Sequence, residues 1–173
     1  MISHILALDP GLVSTGVAIG NIDSNTLELK EVDTRTVELE FLENMILPEH
    51  GNVRDQRLLG FRNWLVSLIE EYDIITVGYE TPFYDRRKPN AHESLVEVCM
   101  SIRMAVCEYN PAIPIHGFSP AAVKRGIGLK GNAKKEEVER RVRELYPDLV
   151  RNISQHEADA VGVLHTLLQK LGG

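Results

Sequence analysis

The order of strand and helix patterns along the chain is the feature that most restricts its fold. Three strand patterns come first with no helix pattern between them, and the later strand patterns alternate with helices. An antiparallel meander followed by strand–helix alternation is typical of an α/β sandwich with a mixed sheet. The 173 residues are expected to form a single domain spanning 1–173, because domains commonly hold about 100–200 residues.

Five segments carry the strand signal, a short run of apolar or β-branched residues bounded by turn residues. The first run ends at Asp9 and is stopped by Pro10 and Gly11, and the fourth run leads into Glu80. The fifth contains Pro114, which favours the edge of a sheet because proline donates no ladder hydrogen bond. The predicted strands are His4–Asp9, Ser14–Ile22, Thr26–Val37, Ile74–Tyr79 and Ile113–His116.

Apolar residues at helical spacing predict amphipathic helices between and after the later strands. Residues 38–53 carry no clear period and are predicted to be an irregular connection. Ser119 precedes a short helix that places Pro120 at the first helical position, where proline is favoured. The longer predicted helices are Arg54–Tyr72, Ser94–Tyr109, Ala133–Tyr146 and His156–Leu171.

The sequence gives no sign of a membrane or export signal. No apolar run approaches the ~18 residues that a transmembrane helix needs, and the N-terminal residues lack the basic region of a signal peptide. We therefore expect no membrane association and a cytosolic location, in bacteria or in the host cell of a virus.

The charge of the chain is unevenly distributed. The formal net charge of −6 argues weakly against nucleic-acid binding, yet residues 1–60 carry all of the surplus, with ten acids against four bases. The segment 124–135 holds five bases and no acid, with glycines at 126, 128 and 131 that allow close backbone approach to a polyanion. The local field decides phosphate binding, so this segment is a candidate DNA contact; the alternative is a solvated loop.

A second local excess of basic residues follows two aromatic residues. Phe83 and Tyr84 precede basic residues at 86–88 in a predicted loop. Exposed aromatic rings there could stack on the bases of a nucleic acid. The alternative is that Phe83 folds back onto the core. The candidate DNA-binding residues are Phe83, Tyr84, Arg86, Arg87, Lys124, Lys130, Lys134 and Lys135.

Acids stand beside apolar segments at three places. Asp9 and Glu80 end strands, and Asp159 lies one turn into the last helix, on the same face as His156. Carboxylates at the rim of a core are costly to desolvate unless something pairs with them, and no base neighbours them in sequence. If they converge, Mg²⁺ would resolve the conflict, because it prefers a few carboxylates plus waters or phosphates. The pattern indicates metal-dependent phosphoryl transfer.

Each of these residues also has a purely structural interpretation. Asp9 could serve the Asp-Pro-Gly turn, Glu80 could be a surface acid, and Asp159 could favour the N-terminal end of its helix dipole. His156 alone could be a solvated or capping histidine. Glu157 is different, because Ser154 and Glu157 fit a capping box, so we assign Glu157 a structural role.

Three motifs in this order and spacing resemble the RuvC family of Holliday junction resolvases, which have a ribonuclease H-like fold. The motifs are Ile5–Gly11 with Ser14–Gly16, Val77–Glu80 with Phe83, and His156–Ala160. Between the last two, residues 124–128 and 133–135 resemble the basic DNA-binding segment of that family. The resemblance spans nearly the whole chain.

The resemblance implies a three-layer fold with a five-stranded mixed sheet of order 3-2-1-4-5 and helices on both faces. It implies a homodimeric Mg²⁺-dependent endonuclease, with Mn²⁺ as a substitute metal, that cuts two opposed strands of a four-way junction. Phe83 would pack against junction bases, Lys124 and Lys135 would contact phosphates, and the helix Ser94–Tyr109 would form the dimer interface. The implied catalytic and metal-binding set is Asp9, Glu80, His156 and Asp159, with histidine at 156 where many members carry a fourth acid.

The leading hypothesis is therefore a structure-selective DNA endonuclease that resolves four-way junctions in recombination, repair or viral genome processing. The alternative is a branched-DNA-binding protein of the same fold without nuclease activity. An actin-like kinase or ATPase is disfavoured because no second D-x-G motif follows Asp9-Pro10-Gly11. A proofreading exonuclease would need D-x-E at that position.

Overall fold

A five-stranded mixed sheet forms the centre of the molecule. The computed structural model describes residues 2–43, 52–84, 86, 89–148 and 152–172. The sheet order is β3-β2-β1-β4-β5, which confirms the predicted order and the edge position of the fifth strand. The strands are β1 (Ile2–Asp9), β2 (Ser14–Asp23), β3 (Leu29–Glu38), β4 (Ile74–Glu80) and β5 (Ile115–Phe118). The pairs β1–β2 and β2–β3 are antiparallel, whereas β1–β4 and β4–β5 are parallel.

Helices cover both faces of the sheet, as expected for a three-layer fold. The described helices are α1 (Leu39–Glu43), α2 (Val53–Tyr72), α3 (Pro89–Tyr109), α4 (Pro120–Gly126), α5 (Lys135–Leu145) and α6 (Gln155–Gly172). Because side chains alternate along a strand, Leu6 and Leu8 of β1 enter a core with α1, α2 and α3. Ile5 and Ala7 enter a second core with α4, α5 and α6.

The loop that joins β2 to β3 is longer than the sequence pattern predicts. We predicted a strand from Thr26, but β3 begins at Leu29. The Asp23 carboxylate accepts hydrogen bonds from the backbone N–H groups of Asn25 and Thr26, at 2.8 and 3.3 Å, and Leu27 adopts a positive φ of 57°. This side-chain-capped turn competes with strand pairing.

Other predicted boundaries also differ from those of the structure. Residues 38–53 are not all irregular, because α1 forms there and buries Leu39 and Leu42 in the core; residues 44–51 lie outside the described residues. The helix expected from Ser94 begins at Pro89. The strand expected from Ile113 begins at Ile115, after Pro114, whose carbonyl accepts from the Val77 N–H at 3.0 Å.

No helix in the described ranges is both long and apolar enough to cross a membrane. The cytosolic location stays a prediction.

Helix α6 lies against β2 at a point where only glycine fits. A Cβ atom placed on Gly16 would collide with the backbone carbonyl of His156 and with its Cβ atom. The strand and the first turn of the helix can therefore touch backbone to backbone. This close approach determines how near the side chains of His156 and Asp159 lie to the ends of β1 and β4.

We predict that Gly16→Ala destabilises the fold, because the new methyl group forces α6 away from β2. The loss should fall at the upper end of about 1–3 kcal/mol, the usual cost of overpacking. Urea unfolding measures it. Gly172→Ala is the control, since its Cβ would meet nothing closer than Leu27 Cδ1 at 3.7 Å; equal losses in both variants would refute the contact's importance.

Candidate active site

The carboxyl ends of two parallel strands bring the first two acids together. β1 and β4 are parallel neighbours, with Leu8 opposite Tyr79. Asp9 and Glu80 are the residues that follow this pair, and each is the last of its strand. Both carboxylates therefore lie at the same edge of the sheet. Open α/β sheets bind ligands at the carboxyl ends of their strands.

Helix α6 supplies the other two residues of the predicted set. The His156 Nδ1–H group donates to the Asp9 Oδ2 atom at 3.0 Å. This hydrogen bond is the main cause of the raised pKa of His156, and the charges of Asp9 and Asp159 act in the same direction. Asp9, from β1, and His156, from α6, thus form one hydrogen-bonded pair although they are 147 positions apart.

Ser14 is a third member of this hydrogen-bonded group and was not predicted from the sequence as a site residue. Its Oγ atom lies 3.3 Å from the Nε2 atom of His156. Because Nδ1 carries the proton shared with Asp9, Nε2 of the neutral ring accepts from the serine hydroxyl. Ser14 stands in the first motif of the sequence, but no spacing in the sequence links it to His156.

Burial and mutual repulsion perturb the two remaining carboxyl groups. Burial, followed by the charges of Asp9 and Asp159, raises the pKa of Glu80 from 4.5 to about 8. Burial, followed by the charge of Asp9, raises the pKa of Asp159 from 3.8 to about 6. The charge of Asp9 thus disfavours ionisation of both Glu80 and Asp159, and the charge of Asp159 adds to the effect on Glu80.

Two lysines from the basic segment act on the same carboxylates. The charges of Lys124 and Lys135 oppose the raised pKa of Glu80 and of Asp159. No base neighbours these acids in sequence, so this proximity arises only from the fold. The Lys124 ammonium group also donates to the backbone carbonyl of Ala133 at 2.7 Å, which ties the loop before α5 to α4.

A small cavity of about 140 Å³ opens beside Asp9 and Glu80. Pro10, Pro82, Phe83 and Leu95 are among its other lining residues. Cys99 lies at its wall and directs its thiol toward the backbone carbonyl of Glu80 at 3.8 Å. Burial raises the pKa of the Cys99 thiol to about 12, so the thiol remains a neutral donor below the site.

The acids have the chemistry of a hard-cation site. Carboxylate oxygens are the ligands that Mg²⁺ and similar ions prefer, and a cation would relieve the repulsion that raises the pKa of Glu80 and Asp159. In the described part of the chain, however, no three His, Cys, Asp or Glu side chains are already arranged to hold an ion.

The predicted DNA-binding residues lie in two regions around this cluster. Phe83 is 72% exposed, which overturns the alternative that it folds onto the core. Tyr84 is also exposed and meets the His92 ring edge-on, with 5.3 Å between centroids. Arg86 is exposed, and Arg87 lies outside the described residues.

The lysines of the second region differ in their surroundings. Lys124 is half-buried near the carboxylates, whereas Lys130 is exposed in the loop before α5. Lys134 is the N-cap of α5, and its backbone N–H donates to the Glu137 carboxylate at 2.7 Å. Lys135, the first residue of α5, is exposed. The fold thus brings the charges of Lys124 and Lys135 to Glu80 and Asp159.

The structural role predicted for Glu157 is confirmed. Its backbone N–H donates to Ser154 Oγ at 3.2 Å, and its carboxylate accepts from the Ser154 N–H at 3.2 Å, which completes the capping box. The same carboxylate accepts from the hydroxyls of Thr34 and Thr36 of β3, at 3.3 and 3.1 Å. Glu157 therefore anchors the start of α6 to the sheet beside the site.

We predict that the metal-free protein loses stability as the pH rises, because the folded state holds its proton on Glu80 more tightly than the unfolded state does. The contribution of Glu80 is full below about 4.5 and is lost as the pH rises through about 8. Asp159 and His156, whose pKa values are also raised, act in the same direction.

Urea unfolding in EDTA across this pH window measures the effect. Glu80→Gln cannot ionise, so the free energy of unfolding of this variant should fall less steeply with pH than that of the wild type. The exposed Glu71→Gln is the matched control and should keep the wild-type slope. A Glu80→Gln slope equal to that of the wild type would contradict the described environment of Glu80.

Comparisons with known proteins agree with this architecture. The family model for RuvC, the crossover junction endodeoxyribonuclease, matches residues 5–166. A curated RuvC from Dehalococcoides mccartyi is 28% identical over 140 residues, which cover 81% of this chain and 75% of that protein. The Thermus thermophilus RuvC structure has a TM-score of 0.73 at 20% identity, covering 99% of this chain and 97% of that one.

A second structure of the Thermus thermophilus protein, in complex with a Holliday junction substrate, also has a TM-score of 0.73, at 18% identity. It covers 99% of this chain and 96% of that one. The two structures show a shared fold, and the family model spans nearly the whole sequence. This chain belongs to the RuvC family of crossover junction endodeoxyribonucleases.

Proposed function

We propose that this chain, as one nuclease domain, is a structure-selective endonuclease that resolves four-way DNA junctions by metal-dependent phosphodiester hydrolysis. The convergence of three carboxylates at the carboxyl ends of β1 and β4 carries this proposal, because burial and mutual charge raise the pKa of two of them. Family membership supports it, since the family's members are named crossover junction endodeoxyribonucleases.

Asp9, Glu80 and Asp159 would hold Mg²⁺, with Mn²⁺ as a substitute, and His156 is a further candidate ligand. Bound there, the cation would neutralise charge on the phosphodiester and lower the pKa of a water. The cluster favours cation binding because the charge of Asp9 disfavours ionisation of Glu80 and of Asp159 until positive charge is added. Lys124 and Lys135 supply part of that charge from the protein itself.

His156 is suited to orient a water or to move a proton. Its Nδ1–H points at Asp9 and its Nε2 lone pair faces the Ser14 hydroxyl, so the ring is held in one tautomer. A neutral ring can accept a proton at Nε2 and pass on the one at Nδ1. Protonation of His156 at low pH would remove this capacity.

The surroundings of the cluster suit a polyanionic, branched substrate. Lys124, Lys130, Lys134 and Lys135 would contact phosphates on one side, and Arg86 on the other. Arg87 is proposed as a further phosphate contact from the sequence alone. Phe83 and Tyr84 would meet bases, because exposed aromatic rings give sequence-tolerant stacking. This basic and aromatic surround supports junction DNA as the substrate despite the acidic net charge.

A homodimer would explain an exposed apolar stripe on α3. Val96, Met100 and Met104 lie four residues apart and therefore on one face of the helix, and both methionines are 52% exposed. A self-complementary face of this kind suits a twofold dimer. Two copies would present two sites, as the cutting of two opposed strands requires.

A branched-DNA-binding protein without nuclease activity is the alternative. It is less favoured, because such a protein has no need for half-buried carboxyl groups whose ionisation a neighbouring carboxylate disfavours. The four residues Asp9, Glu80, His156 and Asp159 are all types that bind metals or move protons.

We predict Mg²⁺-dependent paired cuts near the branch point of a labelled four-way junction. Asp9→Asn should still bind the junction and should lose at least ~100-fold in cleavage rate, the scale of losing one charged group that acts in the transition state. Gel analysis of four-way, branched and linear DNA, with Mg²⁺ or EDTA, measures this. EDTA should abolish the cuts.

The exposed Asp55→Asn is the matched control, with the same chemical change outside the cluster. Tight junction binding without cleavage by the wild type would support the binding-only alternative. Loss of both binding and cleavage in Asp9→Asn would mean that Asp9 is structural.

We predict that Met100→Glu weakens self-association at least ~tenfold, since a charge at the centre of an apolar interface costs more than about 1.4 kcal/mol. Sedimentation velocity over a concentration series measures the dimer fraction. Val53→Glu, at a 54% exposed apolar position on α2, is the control. A dimer that is unchanged by Met100→Glu would exclude this face of α3.

A further inference from the structure

A second, larger groove begins where the carboxylate cavity ends. Its volume is about 470 Å³, against about 140 Å³ for the cavity at Asp9 and Glu80. One wall is the turn between β1 and β2, and the other is the first part of α3. The residues that matter here are Leu12, Val13, Ser14, Ser94, Leu95 and His156.

The groove and the cavity share walls. Leu95 lines both spaces. His156, whose ring donates to Asp9 at 3.0 Å, also lines the groove. A strand whose phosphate lies at the carboxylates would therefore have its neighbouring nucleotide at the mouth of the groove.

The turn that forms the groove is preformed. The Val13 carbonyl accepts from the Leu39 N–H at 2.8 Å. The Thr15 hydroxyl donates to the Gly11 carbonyl at 3.2 Å, and a Cβ on Gly11 would collide with the Ser14 carbonyl. Val13 is nevertheless 60% exposed, so a rigid backbone presents an apolar side chain to solvent beside the site.

The lining chemistry suits a nucleobase. Leu12, Val13 and Leu95 give apolar surface, and Ser14 and Ser94 add hydroxyl groups. The Ser94 hydroxyl donates to the Asn90 carbonyl at 3.0 Å, which leaves its oxygen able to accept from a base edge. Among the residues that the structure describes, the lining holds no acid, although the chain has a net charge of −6. An apolar face with polar edges is the character of a base.

We propose that this groove binds the base of a nucleotide adjoining the scissile phosphate, so that it contributes to the choice of cleavage site. This inference rests on the proposed nuclease function, because it places the scissile phosphate at the carboxylates. It adds a base subsite formed by the β1–β2 turn and α3, apart from the aromatic and basic residues already considered.

The test combines Val13→Ser with base removal in the DNA. Abasic sites are placed, one at a time, at each position flanking the cut in a four-way junction. At one position the wild type should lose about five- to tenfold in kcat/KM, the scale of one apolar side-chain contact. Val13→Ser should show a similar loss on intact DNA and little further loss on that abasic DNA.

Val53→Ser is the matched control, because Val53 is an exposed valine, 54% accessible, on α2. It should retain the wild-type response to every abasic site. If Val13→Ser stays as sensitive to base removal as the wild type, or if no flanking abasic site slows the wild type, the groove holds no base and the inference is wrong. Thermal unfolding checks that Val13→Ser is folded.

A metal-free measurement separates this inference from the nuclease proposal. A 2-aminopurine placed, one position at a time, near the branch point of a junction bound in EDTA should at one position change its fluorescence with the wild type and much less with Val13→Ser. Binding with this response but without cleavage in Mg²⁺ would support the groove and overturn the nuclease function. Cleavage without the response would overturn only the groove, and absence of junction binding would overturn both.

Discussion

The parallel pairing of β1 with β4 is the interaction on which the candidate site depends. It aligns the ends of two strands that are distant in the sequence, so that Asp9 and Glu80 leave the sheet at the same edge. The alignment is costly for a protein without a cation, because burial and repulsion raise the pKa of Glu80 to about 8. The backbone pairing of β1 with β4, and the apolar cores on both sides of it, hold together acidic groups that would otherwise separate. Preorganised sites generally require such support.

The first turn of α6 completes this arrangement through two unlike contacts. Gly16 lets the helix backbone touch β2, and Glu157 ties the helix to the hydroxyls of Thr34 and Thr36 on β3. One contact sets how close the helix comes and the other sets where it begins. His156 and Asp159 then face the strand ends because they lie on the same side of that turn.

Local sequence patterns were enough to predict part of this. The sheet order came from the family resemblance, and the acids at strand ends and the capping box of Ser154 and Glu157 came from periodicity and spacing. The start of β3 could not be predicted, because the Asp23 side chain stabilises a wider turn that propensity does not reveal. The proximity of Lys124 to Glu80 and the bond from Ser14 to His156 also escaped prediction, because they depend on how separate elements pack.

The sheet divides the interior into two independent cores. Successive residues of β1 alternate between them, with Leu6 and Leu8 on one side and Ile5 and Ala7 on the other. Because the two cores lie on opposite faces of the sheet, the energetic effects of changes in the two should add. The layer with α3 can thus diverge in sequence while the layer with α4, α5 and α6 is conserved, and the surface beside one core can acquire a new partner without repacking the other.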